Sequence, residues 1–239
     1  MKNLLSNYLD KRLDTPPTPF VDFQKSGPVI TISREVGCNG LKLAHKISET
    51  LNKQSNSQKW KVLSKEIFHK SAKELNLDYS RITKIFKNTD RYTFEDILYA
   101  FNNKNYKSER KIVKTVVDVI HSFAIDGYCI IVGRAGHIIA KDIINSLHLR
   151  LIAPRSFRIK TIMHNNSLNR IQAIEFIKKV ENERIAFRKA LGEEVLREED
   201  FDIILNRGSF NKDEIVEIIQ KIIQEKKMLV HEKEKIFLF

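Results

Sequence analysis

The stretch TISREVGCNG, residues 31–40, sets Arg34, Glu35, Gly37, Cys38, Asn39 and Gly40 between two apolar segments, with Lys42 two residues on. Residues of these types in this order can hold a phosphate. A strand ending at Ser33 and a helix starting near Leu41 would turn the helix's unpaired backbone N–H groups toward an anion lying between them. Gly37 and Gly40 permit a tight, left-handed backbone that points several amides inward, and Arg34, Asn39 and Lys42 add side-chain donors. The usual phosphate loop, GxxxxGK[ST], also supplies a lysine for the β- and γ-phosphates and a hydroxyl for magnesium. Registered on the second half of that motif, Asn39 takes the second glycine, Gly40 the lysine and Leu41 the hydroxyl. Both additions are absent. The segment reads either as a phosphate site built from amides and other cations, or as an ordinary glycine-bearing turn. Glu35 also has two readings: it holds magnesium or a magnesium-bound water, or it shapes the loop through backbone hydrogen bonds.

Phosphoryl transfer needs cations aimed at the moving oxygens more than it needs covalent chemistry. Arg134 follows the apolar run CIIVG, at the carboxyl end of a candidate strand and beside Gly133 and Gly136. Between Leu168 and Ala190, Lys178, Glu181, Arg184 and Arg188 recur at helical spacing and share one face, opposite Leu168, Ile171, Ile174 and Ile177. That face is either a lid whose arginines close over phosphates, or a solvated surface in which Glu181 pairs with Arg184 or Arg188. Arg158 lies on the preceding helix, Lys65 and Glu66 open another, and Arg110 begins a third. The seven histidines show no HExxH-like spacing, so no structural zinc site and no metal-ligating side-chain set is expected from them. His137, after GRAG, reads as a surface or satisfied core residue.

The elements that must position these groups follow from periodicity. Val29 to Ser33, Cys129 to Gly133, Leu147 to Ile152 and Asp202 to Leu205 read as strands, with a fifth near Trp60 to Leu63. Helical patterns cover Asn3 to Leu13, Leu41 to Leu51, Lys65 to Leu75, Ser80 to Phe86 and Lys107 to Phe123. Others cover Phe157 to His164, Leu168 to Ala190 and Lys212 to Lys226. Buried-looking strands alternating with helices imply an α/β fold: a mostly parallel sheet with helices on both faces and ligands beyond the strands' carboxyl ends. Three prolines in DTPPTPF mark residues 1–27 as an extension before a domain spanning 28–239.

Composition bounds the partners. The chain has 239 residues, and 42 Lys and Arg against 30 Asp and Glu give +12, which favours anionic partners such as nucleotides. Two distant cysteines suggest neither a disulfide framework nor a thiolate zinc site, in keeping with a reducing cytoplasm. No apolar run approaches the roughly 20 residues that span a bilayer, so no membrane association is expected. The apolar ending IFLF, residues 236–239, reads as an edge strand or an interface.

Taken in order, TISREVGCNG, SKEIFHKSAKELNL, YKSERK, IIVGRAGHII, LRLIAP, VENERIAFRKALG and FDIILN resemble the cytidylate kinase-like family, over roughly residues 28 to 225. The resemblance implies a P-loop fold and magnesium-dependent transfer of a phosphoryl group from ATP to CMP or dCMP. It implies an ATP loop of Ser33, Arg34, Glu35, Gly37, Cys38, Asn39, Gly40 and Lys42. Residues 64–110 become the monophosphate-binding lobe, with Lys65, Glu66, Arg110 and Arg134 toward the acceptor. Residues 155–200 become the lid, and Arg134, Arg158, Arg184 and Arg188 the catalytic cations. Loss of the loop lysine and hydroxyl leaves a second reading, a nucleotide- or phosphate-binding protein with a sensor or partner role. Nucleic-acid binding ranks last, because no helix-turn-helix, zinc-finger or RNA-binding signature accompanies the charge.

Overall fold

The computed structural model describes residues 27–54, 58–63, 109–193 and 195–229. The expected helices Asn3 to Leu13, Lys65 to Leu75 and Ser80 to Phe86, most of the 64–110 lobe and the apolar ending lie outside the described residues.

Five parallel strands form one sheet in the order β2-β3-β1-β4-β5. They are β1 (Val29–Arg34), β2 (Lys61–Leu63), β3 (Cys129–Val132), β4 (Ser146–Ile152) and β5 (Ile203–Asn206). β1 is central because its β-branched first half, Val29, Ile30 and Thr31, is suited to burial on both faces. It pairs Val29 with Cys129 and Ile32 with Val132 on one side, and Val29 with Ser146 and Arg34 with Leu151 on the other.

The helices are α1 (Gly40–Gln54), α2 (Glu109–Asp126), α3 (Gly136–Ile139), α4 (Arg155–Asn166), α5 (Arg170–Ala190) and α6 (Lys212–Glu225). Ile30, Ile32, Ile130, Leu147, Leu149 and Leu151 face one way, against Leu43 and Ile47 of α1 and Ile215 and Ile219 of α6. Val29, Cys129 and Ile131 face the other way, against Val116, Val119 and Ile120 of α2, Ile139 of α3 and Phe187 of α5. The three-layer α/β arrangement predicted from periodicity is therefore present. Among the described residues no helix is long and apolar enough to cross a membrane.

Boundaries shift by a few residues, for local reasons. α5 begins at Arg170 because Asn169 caps it: the Asn169 side chain accepts from Gln172 N–H, and the Gln172 side chain accepts from Asn169 N–H. The same box, Asn211 with Glu214, starts α6. Short β2 is anchored from the end of α1, where Asn52 Oδ1 accepts Trp60 N–H at 2.6 Å and Ser48 Oγ donates to Trp60 O at 2.8 Å. α3 had no periodic signature. Its start is set by three consecutive left-handed residues, Gly133 (φ 73°), Arg134 (φ 56°) and Ala135 (φ 53°).

Leu43 is fully buried where α1 meets the sheet. Leu43→Ala is expected to destabilise the protein by about 2–5 kcal/mol through lost transfer energy and a residual cavity, read as a lower midpoint in urea unfolding.

Candidate functional site

A cavity of about 410 Å³ lies beyond the carboxyl ends of β1 and β3. The chain leaves β1 toward β2 and leaves β4 toward β5, on opposite sides of the sheet, so the loop after β1 sits where the connections diverge. Ser33, Arg34, Glu35, Gly37, Asn39, Gly40 and Lys42 supply one wall. Gly133, Arg134 and His137 supply a second, and Asn165 of α4 with Glu183, Arg184 and Arg188 of α5 the third.

The loop between β1 and α1 is held from outside. Glu35 N–H donates to Leu151 O at 2.9 Å, and Glu35 Oε2 accepts Ala153 N–H at 2.9 Å, which ties the loop to the end of β4. Asn165 Nδ2 donates to Asn39 Oδ1 at 2.8 Å, and Arg184 Nη1 donates to Arg34 O at 2.6 Å. Gly37 has φ 98°, and a Cβ there would sit 2.8 Å from both Cα and O of Arg158. Its glycine serves a backbone-to-backbone approach of α4 as well as the turn. Val36 packs with Ile159, Ile162, Ala173 and Ile177, so α4 and α5 share an apolar cluster with the loop.

The loop-shaping reading of Glu35 now has contacts behind it. Its carboxylate bonds a backbone amide and lies 3.5 Å from Arg158 Nε, while also bordering the cavity. Arg158 bridges Glu35 and Glu181 and does not line the cavity. The expected pairing of Glu181 with Arg184 or Arg188 is therefore replaced by one with α4, a neighbour that helical spacing alone cannot reveal. Arg188 pairs instead with Glu193, Nε to Oε2 at 3.3 Å, and His137 Nε2 lies 3.5 Å from Glu193 Oε1. His137 is buried, its ring tilted against Phe201 at 4.7 Å, and it still borders the cavity.

Cys38, expected within the ATP loop, does not turn its side chain to the cavity. Its side chain is buried in the cluster shared by α1 and the sheet, and desolvation first, then Glu35, pushes its thiol up to about 11. Lys178 is exposed, whereas Glu181, Arg184 and Arg188 are half-buried. Ile171 is 70% exposed; the buried stripe of α5 runs Ala173, Ile177, Phe187, with Glu183 beside it. Lys65 and Glu66 lie outside the described residues. Arg110 falls in the first turn of α2, and its side chain also lies outside them. Asn165 and Glu183 were not legible as site residues, because each reaches the cavity only through the folding of α4 and α5 against the loop.

Positive charge inside the cavity is under stress. Burial holds the Arg34 guanidinium well below its ordinary value, and the positive charges of Arg184 and Arg134 push it down further. Arg184 is lowered to about 10, by desolvation first, with Arg188 acting the same way and Glu181 and Glu183 opposing. A base whose folded value is lowered opposes folding while it stays charged. That cost is present at neutral pH and fades as pH rises through about 10. A bound anion removes it at neutral pH.

The parallel order, the glycine-bearing loop at the end of the central strand and the inward-facing arginines define a P-loop kinase-like protein. The chain belongs to the cytidylate kinase-like family, whose model matches residues 29–209. A solved structure of an uncharacterized protein from Eubacterium ventriosum is similar at a TM-score of 0.60 and 20% identity, covering 83% of this chain and 98% of that one. Shikimate kinase from Bacteroides thetaiotaomicron is more distant, with a TM-score of 0.45 and 9% identity over 82% of this chain and 98% of its own. A curated relative, uronate isomerase of Corynebacterium glutamicum, is 25% identical over 124 residues, 48% of this chain. The match spans about a fifth of that relative's length, 21%.

Sulfate or phosphate is expected to stabilise the fold more than chloride at equal ionic strength, by about 1–3 kcal/mol near saturation, read as a higher unfolding midpoint. Arg184→Ala should reduce that gain, as thermal scans would show. Arg158→Ala leaves Glu35 and Glu181 without their shared cation. It is expected to destabilise by about 2 kcal/mol in urea unfolding, below the about 3–5 kcal/mol of a fully buried pair because Glu181 is 36% exposed.

Proposed function

We propose that this chain transfers the γ-phosphoryl group of ATP to a pyrimidine nucleoside monophosphate, CMP or dCMP, with magnesium. The observation that carries the reading is the gathering of Arg34, Arg134, Arg184 and Arg188 from three separate elements onto one cavity at the amino end of α1. Family membership supplies the acceptor class, as its description names cytidylate.

In this reading the first amides of α1, with Arg34 and Lys42, take the donor phosphates. Arg134, at the turn after β3, takes the acceptor phosphate, and an acceptor oxygen attacks the γ-phosphorus as its bond to the bridging oxygen breaks, releasing ADP. Arg184 and Arg188 stabilise the charge on the transferring group from α5, which with α4 acts as the lid and excludes water. Arg158 positions the lid by its pairs with Glu35 and Glu181. Lys65, Glu66 and Arg110 belong to the acceptor side by family likeness alone.

The donor set suits magnesium. Glu35 is bonded to Ala153 N–H, while Glu183, 9% exposed, presents the other carboxylate bordering the cavity. One or two carboxylates with substrate phosphates and water are the common magnesium environment, so Glu183 is the residue that would hold it. Bound there, the ion would offset charge on the phosphate oxygens.

Leu41, in the register of the magnesium hydroxyl, favours the second reading, binding of a nucleotide without transfer. Incubation with ATP, magnesium and each of CMP, dCMP, UMP and AMP separates the two. Diphosphate product is expected with the cytidylates, and Arg134→Ala should lower its rate by about 10²–10³-fold. Thermal stabilisation by ATP with no product from any acceptor would establish the binding protein instead.

A further inference from the structure

We infer that Arg34 is the cation that replaces the missing phosphate-loop lysine, and that Gly40 and Gly133 form the passage through which its side chain reaches the phosphate position. The inference rests on the reading above, that an oligophosphate occupies this cavity.

The path of the side chain is visible in what a methyl group would meet. A Cβ on Gly40 would lie 3.2 Å from Arg34 Cγ and 3.3 Å from Cδ, so the stem runs over the first residue of α1. A Cβ on Gly133 would lie 1.8 Å from Arg34 Nη1 and 2.9 Å from Cζ, so the guanidinium is seated against the turn between β3 and α3. Arg34 therefore leaves the end of β1, crosses the start of α1 and ends among Gly133, Arg134 and Arg184. Its own carbonyl is fixed by Arg184 Nη1 at 2.6 Å, which holds the residue from the lid side.

Gly40 is the informative position. It begins a helix and is not among the glycines with positive φ, so its backbone would accept any residue. Contact, not conformation, explains the glycine. The register of the usual loop puts lysine here, and its Cβ would crowd the Arg34 stem, which would have to give by a few tenths of an ångström. The glycine leaves that space to the cation from the strand. A guanidinium in that place is more than a displaced ammonium, since its planar fork can bond two phosphate oxygens at once. The lowered basicity of Arg34 beside two other arginines agrees with a group placed to be neutralised by a ligand.

The test is calorimetric titration of the full chain with inorganic tripolyphosphate and with ATP, with thermal unfolding recorded for every variant. Arg34→Ala is expected to weaken both ligands by about 10–100-fold, the range of a hydrogen-bonded charge. Adding Gly40→Lys to Arg34→Ala should restore most of the loss, because the ammonium then enters vacated space. Gly133→Ala should weaken binding by displacing the guanidinium, and should add little loss when Arg34 is already alanine. Wild-type affinity in Arg34→Ala, or an Arg34→Ala/Gly40→Lys variant that binds no better than Arg34→Ala, would overturn the proposal. Failure of the unmutated chain to bind either oligophosphate would overturn the reading of the cavity, and this proposal with it.

Discussion

Guanidinium groups repel one another, and here Arg34, Arg134 and Arg184 are brought together where water is scarce. At an effective dielectric of 20, two unit charges 4 Å apart repel by about 4 kcal/mol, a large share of a domain's whole stability. The rest of the fold must hold them against that force. Backbone and apolar contacts do much of this, with Glu181 and Glu183 acting on Arg184. Arg34 ends the central strand, Arg134 sits in a left-handed turn fixed by Gly133 N–H donating to Ile32 O at 2.9 Å, and Arg184 rides on a helix anchored by Ile177 and Phe187.

The neighbouring arginines obey a different rule. Arg158 is matched to Glu35 and Glu181, and Arg188 to Glu193. These contacts lie at the edges of the loop and of α5, where each cation has at least one carboxylate against it. Arg158 has carboxylates as its nearest charges and does not border the cavity, whereas Arg34 is acted on first by burial and then by other cations; Arg188, paired with Glu193 yet bordering the cavity, has both kinds of neighbour. Arg184 stands between the groups, with Glu181 and Glu183 partly offsetting its burial while its guanidinium holds the loop carbonyl.

Much of the sheet was legible in the sequence because parallel strands buried on both faces carry runs of β-branched and aliphatic residues, as in the VITI that opens β1 and the IIV of β3. The loop was legible too, down to the missing lysine and hydroxyl. What periodicity could not disclose is everything that depends on a distant partner. Glu181 pairs with a residue 23 positions away, on α4, and Asn39 with one 126 positions away. Ile171 was expected on the apolar side, yet the axis about which α5 packs is set by Val36 of the loop, and that turns Ile171 to solvent. The course of Arg34 was hidden for the same reason. Its neighbour Gly133 is remote in sequence, and only the β1–β3 pairing of Ile32 with Val132 brings them into contact.

The excess of positive charge, +12 over the chain, would by itself suit a long polyanion as well as a nucleotide. Location favours the nucleotide of the proposed function. On α5, Lys178, Lys179 and Lys189 are exposed, where ions screen them over about 10 Å and each contributes little. Arg34 and Arg184, both lowered by burial first, border a cavity of about 410 Å³, walled on its third side by α4 and α5. A duplex backbone cannot enter such a space, whereas a short chain of phosphates can, and only there does replacing lost hydration with phosphate oxygens relieve a cost already built into the fold. The proposed chemistry thus rests on a few desolvated arginines, while the exposed lysines of α5 are ordinary surface.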